Sequence, residues 1–239
     1  MTLKTFKTKQ DVALNFSRYL AIVIAAREKV HIALSGGSTP KVVFDELADN
    51  FQDDIDWSGV HLYWGDERCV PPDHNDSNYK MTVEHLLSKI DIPEAHIHRI
   101  YGENNPEEEA KRYADLLEEQ LPLENGIPQF DLVILGMGDD GHTASIFPHE
   151  IELWYSERYC EVANHPESGQ QRITVTGQVI NNARLVAFLV TGKSKEEKVK
   201  EILGEESGAE RYPASLVKPT DGKLVWFMDE EAAARLPKD

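Results

Sequence analysis

Hydrophobic positions change period along this chain, and each change marks an element. From Gln10 to about Glu28, apolar residues recur at Val12, Phe16, Leu20 and Ile24. That i, i+4 spacing predicts an amphipathic helix with one buried face. The short run VHIAL (Val30–Leu34) then reads as a buried strand. Pro40–Asp49 returns to helical spacing, and VHLYW (Val60–Trp64) reads as the next strand. A polar loop follows from Gly65 to about Asn78, then a helix over Tyr79–Ser88. Ile97–Ile100 is a short strand candidate, and Pro106–Gln120 an acidic amphipathic helix. FDLVIL (Phe130–Leu135) is the clearest strand, a nearly continuous apolar run ending in glycines, as expected of a parallel strand buried on both faces. RITVT, ARLVAFLV and LVWF supply further strands.

Strands alternating with helices predict a mainly parallel sheet with helices on both sides. There is no internal repeat or low-complexity linker, so residues 1–239 are expected to form a single α/β domain. In such sheets ligands bind at the carboxyl ends of the strands, and three chemically distinctive loops follow predicted strands.

The first loop is ALSGGSTP (Ala33–Pro40). Gly36 and Gly37 leave backbone N–H groups uncovered, Ser38 and Thr39 add hydroxyls, and Thr39 is placed to cap a helix that begins with Pro40. A helix N-terminus behind exposed amides is a phosphate site. The lysine of a P-loop is absent, and a plain strand-to-helix turn is the alternative reading. The second loop, from Trp64 to Tyr79, sets Asp66, Glu67 and Arg68 side by side. Arg68 between two carboxylates suits recognition of a carboxylate or carbonyl oxygen; a surface ion-pair cluster is the plainer reading. Its Asp73–Asn78 stretch lacks the glycine and distal glutamate of a calcium loop. The third loop is GMGDDGHTASIFP (Gly136–Pro148). Gly136, Gly138 and Gly141 match G-x-G-x-x-G, but Asp139 and Asp140 inside the loop would repel a pyrophosphate. More useful is Asp140-Gly141-His142 at the expected start of a helix, where a carboxylate beside an imidazole makes a general base. A capping Asp and a surface His is the alternative. Arg172 opens RITVT, and Lys193 and Lys195 stand near a helix start; either segment offers a cation to a phosphate on the first loop.

Charge narrows the choice of partners. Lys and Arg number 25 against 42 Asp and Glu, a net charge of −17, with 41% hydrophobic and 28% charged residues. So acidic a chain has no general footprint for nucleic acid and is repelled by anionic membranes. Its apolar content suits a folded core. The excess acid falls in PEEEAKRYADLLEEQ and EILGEESGAE, expected to be solvated outer faces. Two cysteines, Cys69 and Cys160, make no disulfide framework, and neither a signal core nor a membrane-spanning run is present. A cytoplasmic protein is expected.

SGGSTP, DER followed by VP, D and SN, and LGMGDDGHTASIFP occur in this order, with RITVT, GKSK and YPASLV after them. Together they resemble the 6-phosphogluconolactonases over most of the chain, from about Ser35 to Val217. The resemblance implies a Rossmann-like three-layer α/β/α sandwich, shared with glucosamine-6-phosphate deaminases and ribose-5-phosphate isomerases. It implies hydrolysis of 6-phospho-D-glucono-1,5-lactone in the pentose phosphate pathway without cofactor or metal, by a monomer or weak homo-oligomer. On this reading His142 activates water, Asp140 orients it, and Arg68 stabilises the oxyanion, with backbone N–H groups near Gly138. Gly36, Gly37, Ser38 and Thr39 hold the phosphate, with Arg172 and Lys195 as counter-charges and Asp66 contacting substrate. The alternatives are an amino-sugar-phosphate deaminase or isomerase, whose loop after DGH typically reads HIAFNEP, and a non-enzymatic sugar-phosphate sensor.

Overall fold

A computed structural model describes residues 1–204 and 207–237. Its strands in chain order are β1 (Thr2–Phe6), β2 (Val30–Leu34), β3 (Val60–Trp64), β4 (Asp66–Arg68), β5 (Ile97–His98), β6 (Leu123–Glu124), β7 (Ile127–Pro128), β8 (Leu132–Leu135), β9 (Cys160–Asn164), β10 (Gln171–Val175), β11 (Leu185–Val190) and β12 (Lys223–Asp229). The α-helices are α1 (Lys9–Ala25), α2 (Ser38–Asn50), α3 (Asn78–Thr82), α4 (Pro106–Gln120), α5 (Gly177–Asn181) and α6 (Glu196–Leu203). Seven strands form a wholly parallel sheet in the order β1-β12-β11-β8-β2-β3-β5. With its helices it makes the three-layer α/β/α sandwich that the sequence predicts. Among the described residues no helix is long and apolar enough to cross a membrane.

The core is built from the apolar runs themselves. Every residue of β2, β3, β8 and β11 is buried. Phe16, Leu20 and Ile24 of α1 and Phe44 and Leu47 of α2 cover the sheet, and Tyr113 and Leu117 of α4 join the same cluster. The α1 helix starts one residue before Gln10 because Thr8 caps it, accepting from Asp11 N–H while the Asp11 carboxylate accepts from Thr8 N–H. A π-helical turn over Val83–Leu87 continues α3, so helical backbone covers most of Tyr79–Ser88.

Several expectations need correction. RITVT is not a central strand: β10 pairs antiparallel with β4 and β9 in a separate three-stranded sheet. The segment Asp66–Arg68, expected within a loop, is the short strand β4. β1 escapes sequence detection because it is an edge strand without an apolar run, with Thr2, Leu3 and Thr5 exposed. Helix α2 begins at Ser38, with Gly37 in the N-cap position and no capping side chain, so Thr39 lies inside the first turn and does not cap it. No helix begins at the DGH loop, whose tight Thr143–Ile146 bridge follows positive φ at Gly141 (85°) and includes it at Ala144 (49°). In α4, Glu109 is buried, where it accepts from Tyr101 N–H at 2.7 Å and pairs with Arg112 through both oxygens. Glu205 and Glu206 of EILGEESGAE lie outside the described residues.

Four histidines gather at His31 in β2, His61 in β3, His96 just before β5 and His98 within it. His61 stacks on His96 with ring centroids 3.8 Å apart, its Nδ1 lies 3.1 Å from His98 Nε2, and His31 Nδ1 lies 3.1 Å from the Tyr63 hydroxyl. Burial, then Lys29 and the neighbouring imidazoles, push His61 down to about 3 and His98 to about 4. Burial and Lys29 lower His31 to about 4, although Asp131 opposes the shift. Between about pH 6.5 and 4 the unfolded chain therefore binds more protons than the folded one, and stability falls as the pH is lowered through that window. Thermal unfolding followed from pH 7.5 to 4.5 should show the melting temperature falling below pH 6.5, and His61→Phe should flatten that slope.

Candidate active site

In the sheet order, β2 and β8 are neighbours although Ile32 pairs with Leu132, a hundred positions along the chain. From β2 the chain adds strands toward β5, and from β8 it adds them in the other direction. The loops after β2 and β8 diverge at this switch point and leave a crevice between them. An open cleft of about 140 Å³ lies there, lined by Gly36 and Gly37 after β2, Asp66 and Arg68 after β3, Gly138 and His142 after β8, and Arg172 of β10. A larger groove beside Ile202, Leu224 and Trp226 is mainly apolar and has no such convergence of charged groups.

The reactive pair sits in the loop after β8. His142 Nδ1 lies 2.6 Å from Asp140 Oδ1, which also accepts His142 N–H at 3.1 Å. Burial would raise the Asp140 pKa, but the hydrogen bonds and charge of His142 overcome it and hold the carboxyl down to about 2. An ionised carboxylate only accepts, so Nδ1 carries a proton, which in the neutral imidazole leaves the lone pair on Nε2. Three glycine-dependent contacts shape the loop. A Cβ on Gly138 would collide with the imidazole and Asp140, and one on Gly141 would strike Tyr212. A Cβ on Gly36 would overlap the Asn78 amide across the cleft. Gly138 N–H donates to His142 O at 2.9 Å. It is therefore spent on loop closure and is not the free oxyanion donor expected from the sequence.

Alternation along β4 divides the labour of DER. Asp66 and Arg68 lie on one face, opposite Thr174 and Arg172 of β10, and Glu67 lies on the other. Glu67 is buried and accepts from the N–H groups of Arg68, Asn78 and Tyr79, each at 2.8 Å, and from the Ser77 hydroxyl. It clamps the loop onto α3 and faces away from the cleft. Burial raises its pKa against the lowering effect of these donors. Arg68 and Arg172 are direct cross-strand partners, a like-charged pairing that destabilises a sheet unless an anion accompanies it. Burial, then Arg68, lowers the Arg172 pKa. Arg68 Nη1 donates to the Asp76 carbonyl, while the Nε groups of both arginines are buried without partners. Both residues line the cleft, and two guanidinium groups side by side there suit an anion.

Of the other expected residues, Ser38 is exposed at the start of α2 and Thr39 turns inward, its hydroxyl 2.7 Å from that of Thr191. Neither lines the cleft. Lys195 is not among the residues lining the cleft; it pairs with Asp139 of the loop after β8 at 2.5 Å, and that same oxygen accepts from Ser194. Hydrogen bonding to Lys195 lowers the Asp139 pKa, so Asp139 adds no free negative charge to the loop. Sequence reasoning missed Asn78, Ser145 and Phe147. Asn78 donates to Asp66 O at 2.9 Å, and Ser145 donates to Asp66 Oδ2 at 2.6 Å. Phe147 is buried, 5.5 Å from the Arg172 guanidinium and 4.7 Å from the His142 ring. Spacing alone signals none of these contacts, which depend on pairing between distant strands. Among the described residues no group of three or more His, Cys, Asp or Glu side chains is arranged to hold a metal ion.

Residues 5–226 match the family model of glucosamine-6-phosphate isomerases/6-phosphogluconolactonase. The chain is 42% identical over 237 residues to the 6-phosphogluconolactonase of Haemophilus influenzae, covering 99% of this chain and 100% of that one. Among solved structures, a devB protein superposes with a TM-score of 0.94 at 42% identity, covering 99% of each chain. The 6-phosphogluconolactonase of Trypanosoma brucei superposes with a TM-score of 0.86 at 30% identity, covering 99% of this chain and 98% of that one.

The steric role of Gly138 is open to direct test. Gly138→Ala should displace the imidazole and break the His142–Asp140 hydrogen bond in a crystal structure. Overpacking of this kind costs about 1–3 kcal/mol, so the melting temperature should fall by roughly 2–10 °C for a chain of this size.

Proposed function

The chain belongs to the glucosamine-6-phosphate isomerase/6-phosphogluconolactonase family, and we propose that His142 is the general base for its reaction, the hydrolysis of 6-phospho-D-glucono-1,5-lactone to 6-phospho-D-gluconate in the pentose phosphate pathway. The observation that carries this assignment is the 2.6 Å His142–Asp140 pair opening onto a cleft that also holds two arginines.

Water is a weak nucleophile toward an ester carbonyl, so the first need is a proton acceptor. Nε2 of His142 is free because Nδ1 is committed to ionised Asp140. As water oxygen bonds to the carbonyl carbon, its proton passes to Nε2, and the carbonyl π electrons move onto oxygen. Asp140 stabilises the imidazolium that results. Arg68, which lines the cleft, stabilises the oxyanion. Collapse of the tetrahedral intermediate breaks the bond to the ring oxygen, which takes the proton from Nε2. The base is thereby restored. The phosphate rests against Gly36, Gly37 and the first-turn amides at Ser38 and Thr39, with Arg172 and Lys195 as counter-charges. The N–H groups at that helix end have no acceptor within the helix, which supports this placement. Asp66 contacts the sugar.

We place the reaction in a single cytoplasmic domain acting as a monomer or weak homo-oligomer. Both thiols are unbridged, Cys69 half-buried and Cys160 buried, which suits a reducing compartment.

His142→Ala should lower kcat by roughly 10²- to 10⁴-fold, the usual worth of a general base, with little change in KM. An assay on freshly generated lactone, corrected for spontaneous hydrolysis, measures this; near-normal kcat sinks the assignment. Arg172→Ala should raise KM by about 10- to 100-fold, as expected for loss of a charged hydrogen bond, and leave kcat largely intact. A fall in kcat alone would remove Arg172 from the phosphate site.

A further inference from the structure

Arg172 is a buried cation with little to hold it. It is 9% exposed, and strand pairing sets it directly across from Arg68. Among the described residues its guanidinium forms no ion pair within 4 Å, and its Nε is buried without a hydrogen-bond partner. Asp66, Asp76 and Glu67 favour its charge, but burial and Arg68 outweigh them. Glu67 is committed to three N–H groups and the Ser77 hydroxyl, and Asp66 Oδ2 to the Ser145 hydroxyl. What the guanidinium does lie over is an aromatic ring: its Cζ stands 5.5 Å from the centre of Phe147. The face of such a ring carries partial negative charge and attracts a cation within about 6 Å, most strongly where water is excluded.

We propose that the face of Phe147 is the counter-group of the Arg172 guanidinium, offsetting part of its burial cost and fixing it in the wall of the cleft, so that Phe147 is the positioning residue for this cation. That the cation serves the phosphate rests on the lactonase reading above; the contact itself does not. The place of the ring is dictated by its neighbours in the chain. Ser145 N–H donates to Thr174 Oγ1 at 3.2 Å, which draws the loop after β8 against β10. Phe147 follows Ser145 by two residues and Arg172 precedes Thr174 by two, and the two side chains meet. Pro148 restricts Phe147 to extended backbone, observed at φ −94° and ψ 155°. The ring is wholly buried, and the imidazoles of His142, His149 and His165 pack around it with centroids 4.7, 5.8 and 5.4 Å away. So enclosed, the ring holds its position and the guanidinium settles on it.

Replacing Phe147 by pentafluorophenylalanine reverses the charge on the ring face while nearly conserving its shape. KM for 6-phosphogluconolactone should then rise by roughly 2- to 30-fold, the range from exposed to desolvated cation–π contacts, and kcat should change less. Phe147→Leu, which stays apolar but lacks the ring, should raise KM likewise and answers the question if the fluorinated chain does not fold. Stability reads the contact without reference to substrate. Fluorination should lower the melting temperature by roughly 1–8 °C when Arg172 is present, and by clearly less in Arg172→Met. Equal KM in the Phe, fluorinated and Leu proteins would overturn the proposal. So would an equal loss of stability with and without Arg172, the mark of a purely steric role, or a fall in kcat alone, the mark of a ring that acts only on His142. An unchanged KM in Arg172→Met would instead remove the phosphate role of Arg172, and the stability comparison would still decide the contact.

Discussion

The adjacency of β2 and β8 is the constraint from which the site follows. Two strands a hundred positions apart lie side by side in parallel, so each must leave the sheet at its carboxyl end in a different direction. The space between the departing loops is not filled by either. What fills its rim is determined by what the two loops can avoid doing. Gly36 and Gly138 carry no side chains where the walls come closest, and a Cβ at either would displace Asn78 or the His142–Asp140 pair. The third wall comes from outside the main sheet. β4 leaves β3 immediately after Gly65 and pairs with β10, bringing Arg172 opposite Arg68. The small antiparallel sheet is therefore the device that carries positive charge to the mouth of the parallel one.

Holding two guanidinium groups together requires a rigid support. Glu67 supplies it from the far face of β4. Three backbone N–H groups and one hydroxyl converge on its two oxygens, fixing the turn from β4 into α3. The network is buried, where polar contacts are strong if satisfied and costly if not. Its effect on the chemistry is indirect: it limits how far Arg68 and Arg172 can relax apart. Their mutual repulsion is a cost that the anion proposed to bind between them would offset, which is one form of preorganisation.

The central strands and the three site loops were legible because each depends on local sequence. Continuous apolar runs at Val30–Leu34, Val60–Trp64 and Phe130–Leu135 are buried on both faces, so periodicity identifies them. Gly-rich loops and the Asp140–His142 pair depend on neighbours within a few residues. What was not legible depends on partners far along the chain. Nothing around Arg172 signals that its strand pairs with Asp66–Arg68, and nothing around Ser145 signals Asp66, 79 positions away. Glu109 reads as one more acid in an acidic helix until the fold brings Arg112 and the Tyr101 amide to it. The helix expected after DGH fails for a related reason. Its residues have adequate helical propensity, but the Thr143 hydroxyl donates to Gly136 O and Ser145 is drawn to Asp66, and these tertiary bonds prevail over a weak local preference.

A chain of net charge −17 that handles a phosphate ester poses a problem of range. At physiological salt the screening length is about 8 Å, so exposed carboxylates beyond that distance contribute little to the potential in the cleft. Charges lining the cleft act through a lower dielectric and count for much more. There the lining contains Arg68 and Arg172 against Asp66, a formal charge of +1, with Asp140 matched to His142 just behind. A phosphate dianion would reverse that sign. In the phosphate site proposed above, Lys195 would supply the remaining positive charge, and its partner, Asp139, is two-thirds exposed and readily rehydrated. Exchange of Lys195 from Asp139 to the phosphate would restore the balance with little desolvation cost, since the carboxylate it leaves is already in water. The acidic surface and the cationic pocket are thus compatible because screening separates them.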